Sequence, residues 1–145
     1  FMAVGALVYR IGNSQISQFK GLGRQMPWTF AALVLAGLSL IGVPGTAGFI
    51  SKWYLVLAAI EQQEWFIAVV ILGGSLLAVI YMWKLVETLF FQPASGESLS
   101  VKEAPLSLLV PTWILVIANI YFGLNTELTV NAAEMAVKIL ESAPL

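Results

Sequence analysis

Apolar stretches separated by short polar segments set out this chain as a series of helices. Residues 1–9 are apolar, and 10–26 are polar, with Arg10, Lys20, Arg24, several glycines and no acidic residue. A helix needs about 20 residues to cross a bilayer, so 1–9 is expected to be the end of a transmembrane helix that starts upstream, and 10–26 a loop. The sequence is then largely apolar from 27 to 60, with Lys52 its one charged residue, and is interrupted by the helix-breaking run Gly42-Val43-Pro44-Gly45-Thr46-Ala47-Gly48. Pro27 suits the first turn of a helix, where a missing N–H costs nothing. Pro44 removes a backbone donor and clashes with the preceding turn, while Gly42, Gly45 and Gly48 ease departure from helical geometry. The pattern predicts a first helical piece to about Val43 and a second from Thr46 or Ala47 to Ile60, together one broken helix over 27–60. A hairpin of two crossing helices is disfavoured, because the second piece, about 14 residues or ~21 Å long, falls short of a ~30 Å hydrocarbon core.

Downstream, 65–91 reads as a long apolar helix with Gly73-Gly74-Ser75 as a small-residue strip for close helix contact. Residues 92–103 form a loop rich in turn formers. A further spanning helix is expected over 104–124, with Pro105 near its start and Pro111 as a kink. The tail, 125–145, changes character: Leu128, Ala132, Met135, Ala136 and Ile139 recur at helical spacing, with Glu127, Glu134, Lys138 and Glu141 on other faces. This predicts an amphipathic helix lying at the membrane surface or against a partner.

Composition turns these helices into a membrane bundle. Hydrophobic residues make up 59% and charged residues 10%, against about 25% charged in soluble domains, and mean hydropathy is +0.89. A net charge of −1 with scattered cations excludes a nucleic-acid surface. Cysteine, histidine and aspartate are absent, which removes disulfides, thiolate or imidazole metal sites and histidine acid–base chemistry. No cofactor and no metal site is expected. Phosphate-loop, dinucleotide-binding and nucleophile-elbow patterns are also missing, so no self-contained enzyme is expected. Glutamates and lysines remain, a set suited to proton handling. By the positive-inside rule the basic 10–26 segment faces the cytoplasm, and the acidic turn Glu61-Gln62-Gln63-Glu64, which has no cation, faces outward.

Within this frame Lys52 is the costly residue. No other charge stands between Arg24 and Glu61, and an intramembrane cation beside broken backbone marks ion-handling sites. Low dielectric disfavours the charged form of a lysine, which suits such a group to releasing and recapturing a proton. Snorkelling to the interface is the plain alternative, but the outer turn lies ~14–18 Å away along the helix, beyond the reach of the side chain. Free backbone groups at a break are tolerated where they meet protein or water, and Ser39, Thr46 and Ser51 are candidates to line a water-holding space. A proline kink used only for packing is the alternative reading of the break. Lys84 and Glu87, at i and i+3, either pair locally and snorkel near the cytoplasmic boundary or form, with Tyr81, the inner entry of a proton path.

The G-x-P-x-x-x-G-F-x-S-K pattern running from Gly42 to Lys52, with Gly21-Leu22-Gly23-Arg24-Gln25-Met26-Pro27-Trp28-Thr29 before it, resembles the antiporter-like subunits of the proton-translocating quinone oxidoreductase superfamily. That superfamily includes large membrane subunits of respiratory complex I, membrane-bound hydrogenases and Mrp-type cation/proton antiporters. With Tyr81-Met82-Trp83-Lys84-Leu85-Val86-Glu87 added, the chain is most similar to the D-type subunits of Mrp antiporters. The resemblance implies an all-α integral membrane fold: the C-terminal part of a bundle of about fourteen helices whose two inverted repeats each hold a discontinuous helix. It implies that Lys52 serves the outer half of a proton path in a Na+/H+ antiporter subunit. Its partners would be other membrane subunits, protons, Na+ and lipid, and its place the plasma membrane of a bacterium. A proton-pumping subunit of a redox complex is the second reading, and a structural membrane scaffold the third.

Overall fold

A computed structural model describes residues 2–12, 20–92 and 102–142, all of them in helices or the turns that join them. Helix α1 covers Met2–Ile11, and a short 3-10 turn, Leu22–Arg24, leads into α2, Pro27–Ile41. Then follow α3, Ala47–Glu61, and α4, Trp65–Val86, which continues as a π-helical turn over Glu87–Phe91. Helices α5, Leu106–Leu124, and α6, Thr126–Ser142, complete the order. The expected 92–103 loop lies, apart from its ends, outside the described residues.

The break between α2 and α3 is set by local chemistry. Helix α2 stops at Ile41, two residues before the expected Val43, because Gly42 takes left-handed geometry at φ 94°. The Gly42 and Val43 N–H groups both donate to Leu38 O, at 3.0 Å each, the wrap-around closure typical of a helix that ends on glycine. Gly45 is also left-handed, at φ 90°, and the chain then enters α3 at Ala47.

The two halves lie in succession along α4. Val34, Leu38 and Ile41 of α2 share a cavity with Val79, Met82, Trp83 and Val86 of α4, whereas Lys52 of α3 reaches Ser75, further toward the start of α4. Helices α2 and α5 run in the same direction. Trp28 meets Trp113 edge-on with centroids 5.8 Å apart, Ser39 meets Asn119, and Gly123 packs on the backbone of Gly45 and Thr46. The buried cluster of Ala6, Leu7, Leu22, Met26, Phe30, Met82, Leu85, Leu89 and Ala104 ties together the ends of α1, α2 and α4. By contrast α3 and the first half of α4 turn large apolar side chains outward, among them Trp53, Leu55, Phe66, Val69 and Leu76.

Several local details differ from the expected pattern, each for a steric or hydrogen-bonding reason. Helix α5 begins at Leu106 rather than Ala104 because Pro105 holds the extended geometry φ −61°, ψ 144° and disfavours helical geometry at the residue before it. The last turn of the fourth helix widens, with Gln92 N–H donating to Glu87 O at 3.2 Å and Gly21 N–H donating to Thr88 O at 3.3 Å. The widened turn thus carries a carbonyl that pairs with the incoming loop. No described atom comes within 4 Å of a side-chain position at Gly73 or Gly74, so the anticipated close helix contact is absent there among the described residues. On α6, Ala132, Met135, Ala136 and Ile139 are exposed, while the side chains of Leu128, Glu134 and Glu141 lie outside the described residues.

A distant carboxylate caps α2. Its N-cap residue, Met26, has no side-chain cap bond, but Glu103 accepts Trp28 N–H at 3.2 Å, Thr29 N–H at 3.2 Å and Thr29 Oγ1–H at 2.6 Å. Arg10 in turn donates through Nε and Nη2 to Glu103 O, at 3.1 and 2.8 Å. The negative carboxylate satisfies orphan amides at the positive end of the helix dipole. Glu103→Ala is therefore expected to lower stability by about 1–2 kcal/mol, seen as a lower melting temperature of the purified protein. Glu103→Gln, which keeps an acceptor oxygen, should recover part of the loss.

Candidate functional site

A helix end leaves its last carbonyls without partners, and at membrane depth each unsatisfied group is costly. In α2 the Leu38 carbonyl is taken by Gly42 and Val43. Of the three carbonyls that follow, Leu40 O and Ile41 O both accept from Lys52 Nζ, at 2.6 and 3.1 Å. Its third bond goes to Ser75 Oγ on α4, at 2.8 Å. Lys52 lies in the second turn of α3, and its stem crosses the face of Gly42, where a side chain would meet Lys52 Cδ at 3.1 Å. The half-buried ammonium thus has three donors matched by three neutral acceptors. Among the described residues no carboxylate pairs with it. The cation is held by backbone dipoles at the negative end of α2.

The amide side of the break is closed from α5. Asn119 Oδ1 accepts Ala47 N–H at 3.2 Å and Ser39 Oγ–H at 3.0 Å, and Ser39 Oγ accepts Gly48 N–H at 3.3 Å. The first N–H groups of α3 therefore find side-chain partners, as its last-turn counterparts in α2 find Lys52. Gly48 runs so close to Ser39 that any side chain at 48 would overlap the Ser39 carbonyl.

Of the other candidates, Ser39 belongs to this closure, whereas the rest stand apart from Lys52. Thr46 is buried and donates to Val43 O at 2.7 Å, stabilising the loop itself. Ser51 is exposed and donates to Ala47 O at 3.1 Å on its own helix. Tyr81, Lys84 and Glu87 are exposed, and among the described residues no ion pair joins Lys84 to Glu87. Lys84 stands nine residues beyond Ser75, or ~14 Å along the helix, so the structure does not bring it into the Lys52 cluster.

Two participants escape sequence reasoning. Ser75 is the only hydroxyl between Trp65 and Ile80, a signal that reads equally well as part of a small-residue strip. Asn119 is the only carboxamide in α5. An isolated amide in an apolar helix marks a polar contact, but nothing local says with what.

Comparison with known proteins follows the same residues. The pattern of the NADH:quinone oxidoreductase/Mrp antiporter transmembrane family matches residues 1–78, which hold the whole break, Lys52 and Ser75. The chain belongs to this family. It is an all-α integral membrane protein with a discontinuous helix, and α4 with its π turn, at 27 residues, and α5, at 19, are long and apolar enough to cross a membrane. NADH-quinone oxidoreductase subunit N of Desulforudis audaxviator is 34% identical over 94% of this chain and 30% of its own length. F(420)H(2) dehydrogenase subunit N of Methanosarcina mazei is 30% identical over 97% of this chain and 30% of its own length. Among solved structures, a chain of the membrane-bound sulfane sulfur reductase, an archaeal respiratory membrane complex, superposes with a TM-score of 0.77 at 34% identity, covering 84% of this chain and 20% of that one. A chain of the Mrp complex from Dietzia reaches the same TM-score, 0.77, at 22% identity, over 88% of this chain and 32% of that one, a likeness of fold. The chain thus spans less than a third of the length of each of these proteins. The oxidoreductase names of its sequence relatives favour the redox-complex reading over the Mrp D-type reading expected from the 81–87 motif.

Proposed function

We propose that this chain is part of a proton-translocating membrane subunit of the NADH-quinone oxidoreductase N type, with Lys52 as a proton-relay group at the broken helix. One observation carries the reading: an ammonium is held at a helix break by three neutral acceptors and no described carboxylate. Such a cage holds the cation through dipoles, leaving the charge free to respond to a neighbouring charge or to water. The names of the sequence relatives support coupling to electron transfer. The proposed setting is a plasma membrane, in contact with lipid and further membrane subunits, with the Arg10, Lys20 and Arg24 side toward the cytoplasm and Lys52 in the outer half. In this reading Lys84 and Glu87 serve the inner side, separated from Lys52 by the apolar stretch of α4.

Na+/H+ antiport is the alternative within the same family, favoured by its Mrp members. The two differ in what drives the proton. The intact complex, reconstituted in vesicles with an internal pH dye, should acidify or alkalinise them when given an electron donor and quinone, and should not respond to an imposed Na+ gradient alone. Proton movement driven by the Na+ gradient without any donor would overturn the redox reading.

A further inference from the structure

The three acceptors around Lys52 are not chemically equivalent. Leu40 O and Ile41 O are carbonyls and only accept, whereas Ser75 Oγ both accepts and donates. In the geometry described, Ser75 accepts from Lys52 Nζ at 2.8 Å and points its own proton at Ile71 O, at a long 3.4 Å. An ammonium has three N–H donors and no lone pair. A neutral amine has two N–H donors and one lone pair. If one proton leaves Nζ for water, the electron pair of that N–H bond stays on nitrogen, the two remaining N–H groups keep Leu40 O and Ile41 O, and the lone pair is left facing Ser75. Only a group able to turn from acceptor to donor can satisfy it there, and Ser75 can do so at little cost because its bond to Ile71 O is weak at that length.

We propose that Ser75 is a positioning residue for the proton step at Lys52, reversing the direction of its hydrogen bond as Lys52 gains or loses a proton. The proposal rests on the relay reading of Lys52. It explains why a lone hydroxyl sits in the otherwise apolar run of α4: without it, the neutral amine would hold an unsatisfied lone pair inside the bundle, and burial of an unpaired polar group is costly. The carbonyls then keep α2 capped in both states while Ser75 absorbs the change. No carboxylate is needed for this exchange, which fits the absence of one around Lys52 among the described residues.

Threonine and valine have nearly the same shape and differ in the hydroxyl, so they separate chemistry from packing. In the intact complex, Ser75→Val is expected to slow proton translocation by about fivefold or more, the factor that corresponds to one lost hydrogen bond, and Ser75→Thr to restore most of that loss. Mass-spectrometric labelling with a reagent that reacts with the neutral amine should find Lys52 several-fold less reactive in Ser75→Val than in Ser75→Thr, because the valine leaves the lone pair of the neutral amine without a donor. Equal translocation rates for the two variants would overturn the proposal. Should the valine variant fail to assemble, Ser75→Ala, which only removes an atom, replaces it in the same comparison. A separate Lys52→Ala measurement distinguishes the failures: full translocation without Lys52 sinks the relay reading itself, whereas loss there together with equal Ser75→Val and Ser75→Thr rates sinks only the role of Ser75.

Discussion

Lys52→Ala is expected to reduce proton translocation by the intact complex at least about tenfold, equivalent to ~1.4 kcal/mol or more on the limiting barrier. Two effects are combined in that variant. It removes the group proposed to carry the proton, and it strips the partners from Leu40 O and Ile41 O, each costing about 1–3 kcal/mol if left buried and unpaired. Lys52→Arg separates them. A guanidinium can donate to both carbonyls, yet it keeps its proton at any physiological pH. Lys52→Arg should therefore assemble with near-native melting behaviour and still translocate as poorly as Lys52→Ala. Wild-type rates from Lys52→Arg would show that no proton leaves this nitrogen during turnover, leaving Lys52 a helix cap alone.

The second large effect falls on stability. Gly48→Ala places a methyl group into the Ser39 carbonyl and hydroxyl, and the first of these is backbone, which cannot rotate away. Relieving the overlap means driving α3 off α2 and losing the Gly48 N–H to Ser39 Oγ bond, 3.3 Å long. With it the Asn119 closure loosens, since Ser39 Oγ is one of its two donors. Overpacking of this kind costs about 3 kcal/mol or more where backbone must move. The expected result is poor assembly and a melting temperature lowered by several degrees in detergent. Gly74→Ala is the matched control: nothing described lies within 4 Å of the added methyl, and alanine favours a helix interior by ~0.5–1 kcal/mol over glycine. If Gly48→Ala and Gly74→Ala melted alike, the close approach of α3 to Ser39 would not exist in the protein.

Both predictions depend on residues that differ in how openly the chain displays them. The break is visible in the sequence because Gly42, Pro44, Gly45 and Gly48 act through their own backbone, by left-handed geometry, a missing donor or a missing side chain. Lys52 is visible for a similar reason, since the cost of a cation in an apolar run is a property of the run. Family membership was legible on the same segment, and the sequence comparisons bear it out over residues 1–78. Between the types within the family, the names of the sequence relatives favour the oxidoreductase N type over the Mrp D type, because identity spread over most of the chain weighs more than a short motif such as 81–87. The pairing of Lys84 with Glu87 also does not form among the described residues. Spacing of i and i+3 permits such a pair, but exposed side chains gain little from it and lose rotamer freedom.

The amino-acid sequence by itself determined the apolar helices, the interruption between Ile41 and Ala47, and the presence just beyond it of one cation set far from every other charge along the chain, because these follow from local backbone preference and from the length of apolar runs. Only the tertiary structure decided what closes the break: Ser75 is 23 residues from Lys52, Asn119 is 80 from Ser39, and Glu103 is 74 from Thr29. A hydroxyl, a carboxamide or a carboxylate advertises that it needs a hydrogen-bond partner. Which partner it finds depends on how the helices pack, and no periodicity within one helix encodes that.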